Sequence, residues 1–321
     1  MTSYADIKKW RHQEMRAVST NHQQLNEFHD EIMKATVQIA IKKVQSERGE
    51  PPAPFVFFLM GSAGRFEQSV WSDQDHGIIF NGDDYCEPYF LALGKEITEG
   101  LAAVDYELCD GKVMALNPRW CQSLDKWETQ ITEWLQEASW ESLRHFCTFF
   151  DSRVFIGDEK YLDDLKDLAF NTIEANPKLN IRFVENVEFI KKGIGVLGQL
   201  LPELHGTESG SIQLKQTTFY PYVNALRLLA LKNQVYTAPT LLRFRELKKR
   251  YEWIEEYETF FERLLEFRLH FRRDADDYDA VHLLPLELLN KDEKQELKKM
   301  MKKGYKLLSE VKSTIEKECS P

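Results

Sequence analysis

The sequence predicts an α+β protein: a helical leader, a small core of short strands and helices, and a long all-helical C-terminal region. Three observations carry this reading. Apolar residues recur at three- and four-residue spacing before Arg48. A short aromatic-rich run, Phe55-Val56-Phe57-Phe58-Leu59-Met60, is bounded by prolines and a glycine. Helical periodicity then dominates from Trp127 onward. The expected partition is 1–50 for the leader, 51–160 for the core and 161–321 for the helical domain.

In the leader, Leu25, Phe28, Ile32, Ala35 and Ile39 lay one apolar stripe along a helix. Arg48-Gly49-Glu50 followed by Pro51, Pro52 and Pro54 stops it, because proline cannot continue a helix and biases its predecessor to extended geometry. The run from Phe55 to Met60 is apolar throughout and reads as a buried strand. Gly61 to Ser72 reads as a polar turn or short helix, and His76 to Phe80 holds a second strand, ended by the turn signal Asn81-Gly82-Asp83-Asp84. Helical spacing returns from about Pro88 to Ala103, and Val113 to Leu116 is expected to be another strand. Beyond Trp127 the helices break near Asn176-Pro177, from Gly206 to Gly210 and at Ala238-Pro239. The last stretch, Asp292 to Lys317, is an amphipathic helix with Leu297, Met300, Met301, Tyr305 and Leu308, and its alternating lysines and glutamates form a solvated face. Trp120, Trp127, Trp134 and Trp140 recur at roughly seven-residue spacing, as a core stripe does. The chain contains no internal repeat.

Composition excludes several classes of function. With 321 residues the chain has room for about two domains, and 43% apolar and 29% charged residues suit a protein with a real core. No run reaches the ~18 apolar residues of a membrane-spanning helix. The first residues lack the apolar stretch of a signal peptide, so the expectation is a cytoplasmic protein without a membrane partner. Five cysteines without a CxxC pair argue against a disulfide framework and a zinc knuckle. A formal charge of −10 opposes wrapping of nucleic acid, which demands a basic surface.

The densest chemistry lies between Met60 and Asp75. A strand running into Gly61-Ser62 lets backbone approach an anion closely, since glycine has no Cβ. Backbone N–H groups and the Ser62 hydroxyl can then cradle phosphate, and Arg65 can add charge-assisted hydrogen bonds. Further along, Asp73 and Asp75 stand two residues apart. If that piece is extended, both carboxylates point to one face and Gln74 to the other. Two carboxylates beside a phosphate cradle suit the oxygen-seeking Mg²⁺, and a pair of such ions can clamp an in-line displacement at phosphorus. The segment is neither a Walker loop nor a GxGxxG dinucleotide fingerprint. His76 follows the aspartates but has no flanking histidine or cysteine partner, which favours a structural role.

The string Gly61-Ser62-x-x-Arg65 … Ser72-Asp73-x-Asp75 resembles the first signature of the polymerase-beta-type nucleotidyltransferase superfamily. The fuller segment GSAGRFEQSVWSDQDHGIIF is similar to nucleotidyltransferases related to the PII-uridylyltransferase domain. Further blocks carry the same resemblance: Cys109-x-Gly111-x-Val113-Met114-Ala115-x-Asn117-Pro118-x-Trp120, then Phe149-Phe150-Asp151-Ser152-Arg153, and C-terminal stretches around Lys215, Arg227, Thr240 to Leu247 and Arg268. The resemblance covers roughly Asn21 to the C-terminus. It implies a small mixed-sheet polymerase-beta-type core followed by a helical domain that closes over the nucleotide and presents the acceptor. In other chains such proteins carry cyclic-nucleotide-binding and CBS modules, for which there is no room here, so such regulation is expected from another chain.

The resemblance implies transfer of a nucleoside monophosphate from an NTP to a protein or small-molecule hydroxyl, with release of pyrophosphate. Gly61 and Ser62 would hold the β/γ phosphates, Asp73 and Asp75 the Mg²⁺, and Arg65 would neutralise departing charge. Two departures stand out. The family's Pro-Gly-Gly turn is here Asp110-Gly111-Lys112, and its third carboxylate has no unique match. Asp151 is the candidate by context, ahead of Asp110 and Glu141, as general base or metal ligand, and it could equally pair with Arg153. Lys215 is either a triphosphate contact or a surface lysine. The rival function is a nucleotide-binding regulatory module that has lost turnover. Whether the protein dimerises through its long helices stays open.

Overall fold

The computed structural model describes residues 2–187, 190–205 and 208–319. Helices α1 (Tyr4–Val18) and α2 (His22–Arg48) open the chain, each with a side-chain N-cap, Ser3 and Asn21. After the prolines come β1 (Phe55–Leu59), the single helical turn α3 (Gly61–Gly64), β2 (Asp73–Gln74), β3 (His76–Phe80), α4 (Glu87–Ala103) and β4 (Glu107–Leu108). They are followed by β5 (Cys121–Ser123), α5 (Leu124–Glu137), α6 (Trp140–Phe150), β6 (Arg153–Ile156) and α7 (Lys160–Ala175). The remainder holds α8 (Lys178–Asn186), β7 (Ser211–Gln213), α9 (Tyr220–Lys232), α10 (Thr240–Leu247), α11 (Glu255–Arg272), β8 (Leu283–Pro285) and α12 (Lys291–Cys319). The chain divides into two units, Met1–Thr172 and Ile173–Pro321.

The first unit is built on a mixed sheet in the order β5-β3-β1-β6. β1 runs antiparallel to both β3 and β6, and β3 runs parallel to β5. Both faces of β1 are covered, which is why its sequence shows no polar alternation. Phe57 and Leu59 join Ile78 and Phe80 in a cluster with Phe28, Ile32, Met33 and Val37 of α2 and Phe90, Leu93 and Ile97 of α4. On the opposite face Phe58 meets the rings of Trp127 and Phe149, from α5 and α6. Gly77, the register partner of Phe58, leaves room for that ring, since a Cβ there would stand 2.4 Å from Phe58 Cζ. The buried tryptophan stripe comprises Trp120, Trp127 and Trp134. Trp140 departs from it at 56% exposure, with the Arg144 guanidinium over its ring.

The expected strand at Val113–Leu116 is absent. That segment is a turn closed by Asn117 N–H to Met114 O, and the Ala115 N–H is taken by the His76 imidazole instead of a neighbouring strand. β6 follows the Phe149–Arg153 segment and had no periodicity to announce it.

The second unit is helical with a short antiparallel β7–β8 pair. Its core gathers around Phe261 of α11, which meets the rings of Phe219, Tyr222 and Phe244. Tyr222 OH donates to the Met300 carbonyl of α12 at 2.7 Å, joining α9 to the last helix. On α12, Leu297, Met300, Met301 and Leu308 are buried, as the apolar stripe requires. The helix break expected from Gly206 to Gly210 lies partly outside the described residues, as 206 and 207 are not among them. Taken together the protein is α+β: a small mixed sheet between helices, then a helical region. Among the described residues, no helix is long and apolar enough to cross a membrane.

Candidate active site

The segment between Gly61 and Asp75 begins at the end of β1. Gly61 adopts φ +57, a left-handed conformation open to glycine, and the Arg65 N–H closes the α3 turn on the Gly61 carbonyl at 3.0 Å. The chain then leaves as a buried polar loop, Glu67 to Ser72, whose hydrogen bonds come largely from α2. Asn26 pairs with both backbone groups of Gln68, at 2.8 and 3.3 Å. The His29 Nε2–H donates to Ser69 O at 2.8 Å while Nδ1 accepts from the Tyr106 hydroxyl at 2.7 Å, and His22 reaches Phe66 O at 3.0 Å. From α1, the buried Arg11 donates to Val104 O and Val70 O and lies over the rings of Trp71 and Tyr106. Only at its end, where Ser72 O accepts from Glu107 N–H of β4 at 3.1 Å, does the loop meet a strand in the bonds named here; the rest are made by helix side chains, as its buried backbone polar groups demand.

At the end of that loop Asp73 and Asp75 are half-buried while Gln74 and His76 are fully buried, the alternation of an extended strand. Gln74 points inward and donates to Thr98 O and Tyr106 O. The Ser62 and Ser72 hydroxyls lie 3.2 Å apart and tie the glycine turn to the residue before Asp73. Asp75 packs directly on the turn: a Cβ at Gly61 would stand 1.9 Å from Asp75 Oδ2. The expected proximity of the turn to the aspartate pair is therefore a contact.

A third group joins them that the sequence reading had not placed there. Cys109 Sγ and the carboxylate oxygens of Asp73 and Asp75 all lie within 4.8 Å of one another. The cause is the pairing of β2 with β4. Asp73 lies opposite Glu107 and Gln74 opposite Leu108 in parallel register, so Asp75 and Cys109 emerge side by side. The thiol donates to the Asp75 carboxylate; burial pushes its pKa up, and the two carboxylates push it further.

His76 is structural. Its Nδ1 accepts from Ala115 N–H and its Nε2 faces Gln74 Oε1 at 3.1 Å, which fixes a neutral tautomer, and burial lowers its pKa to about 3. Arg65 and Asp151 meet each other away from solvent. Arg65 Nη1 donates to Asp151 at 3.0 Å and Nε to Glu67 at 2.9 Å, with Asp151 fully buried. Burial alone would lower the arginine pKa, but the two carboxylates reverse that and hold it well above its ordinary value. Arg153, the alternative partner for Asp151, instead pairs with Asp30 and donates to Ala63 O. Asp151 is outside the converging donor group, and its carboxylate is engaged with Arg65. Lys215 belongs to the second unit, where its ammonium donates to Tyr278 OH at 2.9 Å.

With this geometry in place, comparison with known families gives two matches. Residues 8–141 match a family model described as "Putative nucleotidyltransferase DUF294". Residues 177–315 match one described as "Putative nucleotidyltransferase substrate binding domain". The chain belongs to the DUF294 nucleotidyltransferase family. No curated protein matches it. The first DUF294 match spans α1 through the start of α6 and so includes the leader helices, the glycine turn, both aspartates and Cys109. Membership makes the chain a nucleotidyltransferase at the level of reaction class, with an NTP as the substrate of that class.

Proposed function

We propose that this DUF294 protein is a Mg²⁺-dependent enzyme that moves a nucleoside monophosphate from an NTP to a protein or small-molecule hydroxyl and releases pyrophosphate. The observation that carries the reading is the convergence of the Asp73 and Asp75 carboxylates against the Gly61 turn. The donor set fits the ion: two half-buried carboxylates on one face offer hard oxygen ligands with room for water and phosphate oxygens. Bound there, one or two Mg²⁺ ions would supply charge neutralisation and in-line alignment at phosphorus.

The chain's own residues then divide the work. Gly61 and Ser62 receive the β/γ phosphates, with the Ser62 hydroxyl steadied by Ser72. Arg65 adds positive charge at the end of that turn, and Glu67 and Asp151 hold its guanidinium in place. Asp151 in this scheme is a positioning residue for Arg65. The second unit, matched by a family model for substrate binding, recognises substrate, and Lys215 is its candidate phosphate contact. The similarity to the PII-uridylyltransferase group supports a tyrosine or comparable hydroxyl as acceptor, hence a signalling modification. The acidic charge opposes a polynucleotide acceptor.

The test is calorimetric titration with ATP, GTP, CTP and UTP, each with and without Mg²⁺, followed by pyrophosphate release across candidate acceptors. Metal-dependent binding and turnover that disappear in the Asp73→Asn/Asp75→Asn double variant are expected; retained turnover would sink the mechanism. One observation favours a second reading, a nucleotide-binding regulatory module: the third group at the site is a thiol in place of a carboxylate. Mg²⁺·NTP binding without pyrophosphate release from any acceptor would select it.

A further inference from the structure

The geometry points to Cys109 as a third metal ligand, which makes the Asp73/Asp75 site a mixed oxygen–sulfur centre that takes thiophilic divalent ions as well as Mg²⁺. This inference rests on the metal reading of the aspartate pair given above.

Three facts support it. The sulfur and both carboxylates converge within 4.8 Å. A divalent ion bound at about 2.1 Å to oxygen and 2.3 Å to sulfur spans donors up to roughly 4.4 Å apart, so small side-chain rotations close all three onto one ion. The placement is also fixed by backbone. Parallel pairing of β2 and β4 sets Cys109 beside Asp75, and the Cys109 carbonyl closes the following turn with Lys112 N–H at 2.9 Å. Finally, the thiol already addresses the site by donating to Asp75.

The ligand set determines the selectivity. Mg²⁺ prefers oxygen and leaves the thiol protonated, hydrogen-bonded to Asp75. Zn²⁺, Co²⁺ or Cd²⁺ accepts the sulfur as thiolate: the S–H bond breaks, its proton passes to solvent, and the sulfur lone pair forms the metal–sulfur bond. No change of oxidation state is involved. The site should therefore bind Zn²⁺ and Cd²⁺ far more tightly than two carboxylates would, and these ions should displace Mg²⁺.

The experiment is titration of the full chain with Cd²⁺ and Co²⁺ in the ultraviolet and visible, beside a Mn²⁺ titration followed by water-proton relaxation. Wild type should develop a sulfur-to-metal charge-transfer band that saturates at one ion per chain. The band should be absent in Cys109→Ser, whose Cd²⁺ affinity should fall by at least ~10-fold, and absent in Asp73→Asn/Asp75→Asn. Mn²⁺ binding should survive Cys109→Ser, which also shows that this variant folds. Cd²⁺ binding without a sulfur band, or an unchanged band in Cys109→Ser, would overturn the inference while Mn²⁺ binding leaves the aspartate site standing. Failure of the wild type to bind any of these ions would overturn both.

Discussion

The carboxylate of Asp75 lies over the Cα of Gly61, so close that a β-carbon there would fall 1.9 Å from Oδ2. The glycine turn and the aspartate pair are thereby one packed unit. Gly61→Ala meets two penalties at once, a left-handed φ of +57 and a collision with the aspartate. Thermal unfolding should register a loss of about 2–4 kcal/mol, and Mn²⁺ titration should show affinity reduced at least ~10-fold as Asp75 is pushed aside.

Asp73→Asn and Asp75→Asn act differently. Each removes one of two neighbouring half-buried negative charges, so metal-free stability should hold or rise by up to ~1 kcal/mol. Metal-dependent NTP binding should nonetheless be lost, with transfer falling at least ~10²-fold. Paired melting curves and nucleotide titrations separate the two effects.

Arg65→Met removes the guanidinium that pairs with two buried carboxylates, Asp151 and Glu67. A loss of about 3–5 kcal/mol is expected by urea unfolding. Adding Asp151→Asn to that variant should recover part of it, whereas a purely steric role for Arg65 predicts no recovery.

His29 and His76 are buried and neutral, each with its pKa lowered to about 3, chiefly by burial. A histidine in the unfolded chain titrates near ~6.5, so between those values the unfolded state binds more protons. The stability from keeping these rings neutral is fully present above pH ~6.5 and is lost as pH falls toward 3. Each ring steepens the loss by up to ~1.4 kcal/mol per pH unit. Urea midpoints from pH 7.5 down to 5 should fall less steeply in His29→Gln than in wild type.

Lys112 occupies φ +54, in the left-handed region that favours glycine. Lys112→Gly should relieve that strain and raise stability by about 0.5–1 kcal/mol, readable as a rise in melting temperature.

What could be seen in the sequence was what neighbouring residues encode. The glycine turn, the alternation of Asp73-Gln74-Asp75 and the doubly covered strand at Phe55 are local patterns, and each has its counterpart in the structure. Cys109 was not legible at the site because a two-residue parallel pairing, β2 with β4, brings it there, and strands that short carry no periodicity. The Arg65–Asp151 pair spans 86 residues, so the sequence offered Arg153 as an equal partner. Val113–Leu116 looked like a strand because its side chains are largely buried; they are buried in a turn whose Ala115 backbone lies against Gly94 of α4.

The first two helices stand outside the Gly61–Asp75 segment, yet Asn26, His29 and Arg11 hold the loop that delivers Asp73 and Asp75. A polypeptide begun at the prolines would keep Gly61, Asp73, Asp75 and Cys109 and lose the template that spaces them. Random mutagenesis scored only for nucleotide transfer should therefore return hits in the first thirty residues as readily as around the aspartates. Such hits would mimic active-site lesions while leaving the site's own sequence intact.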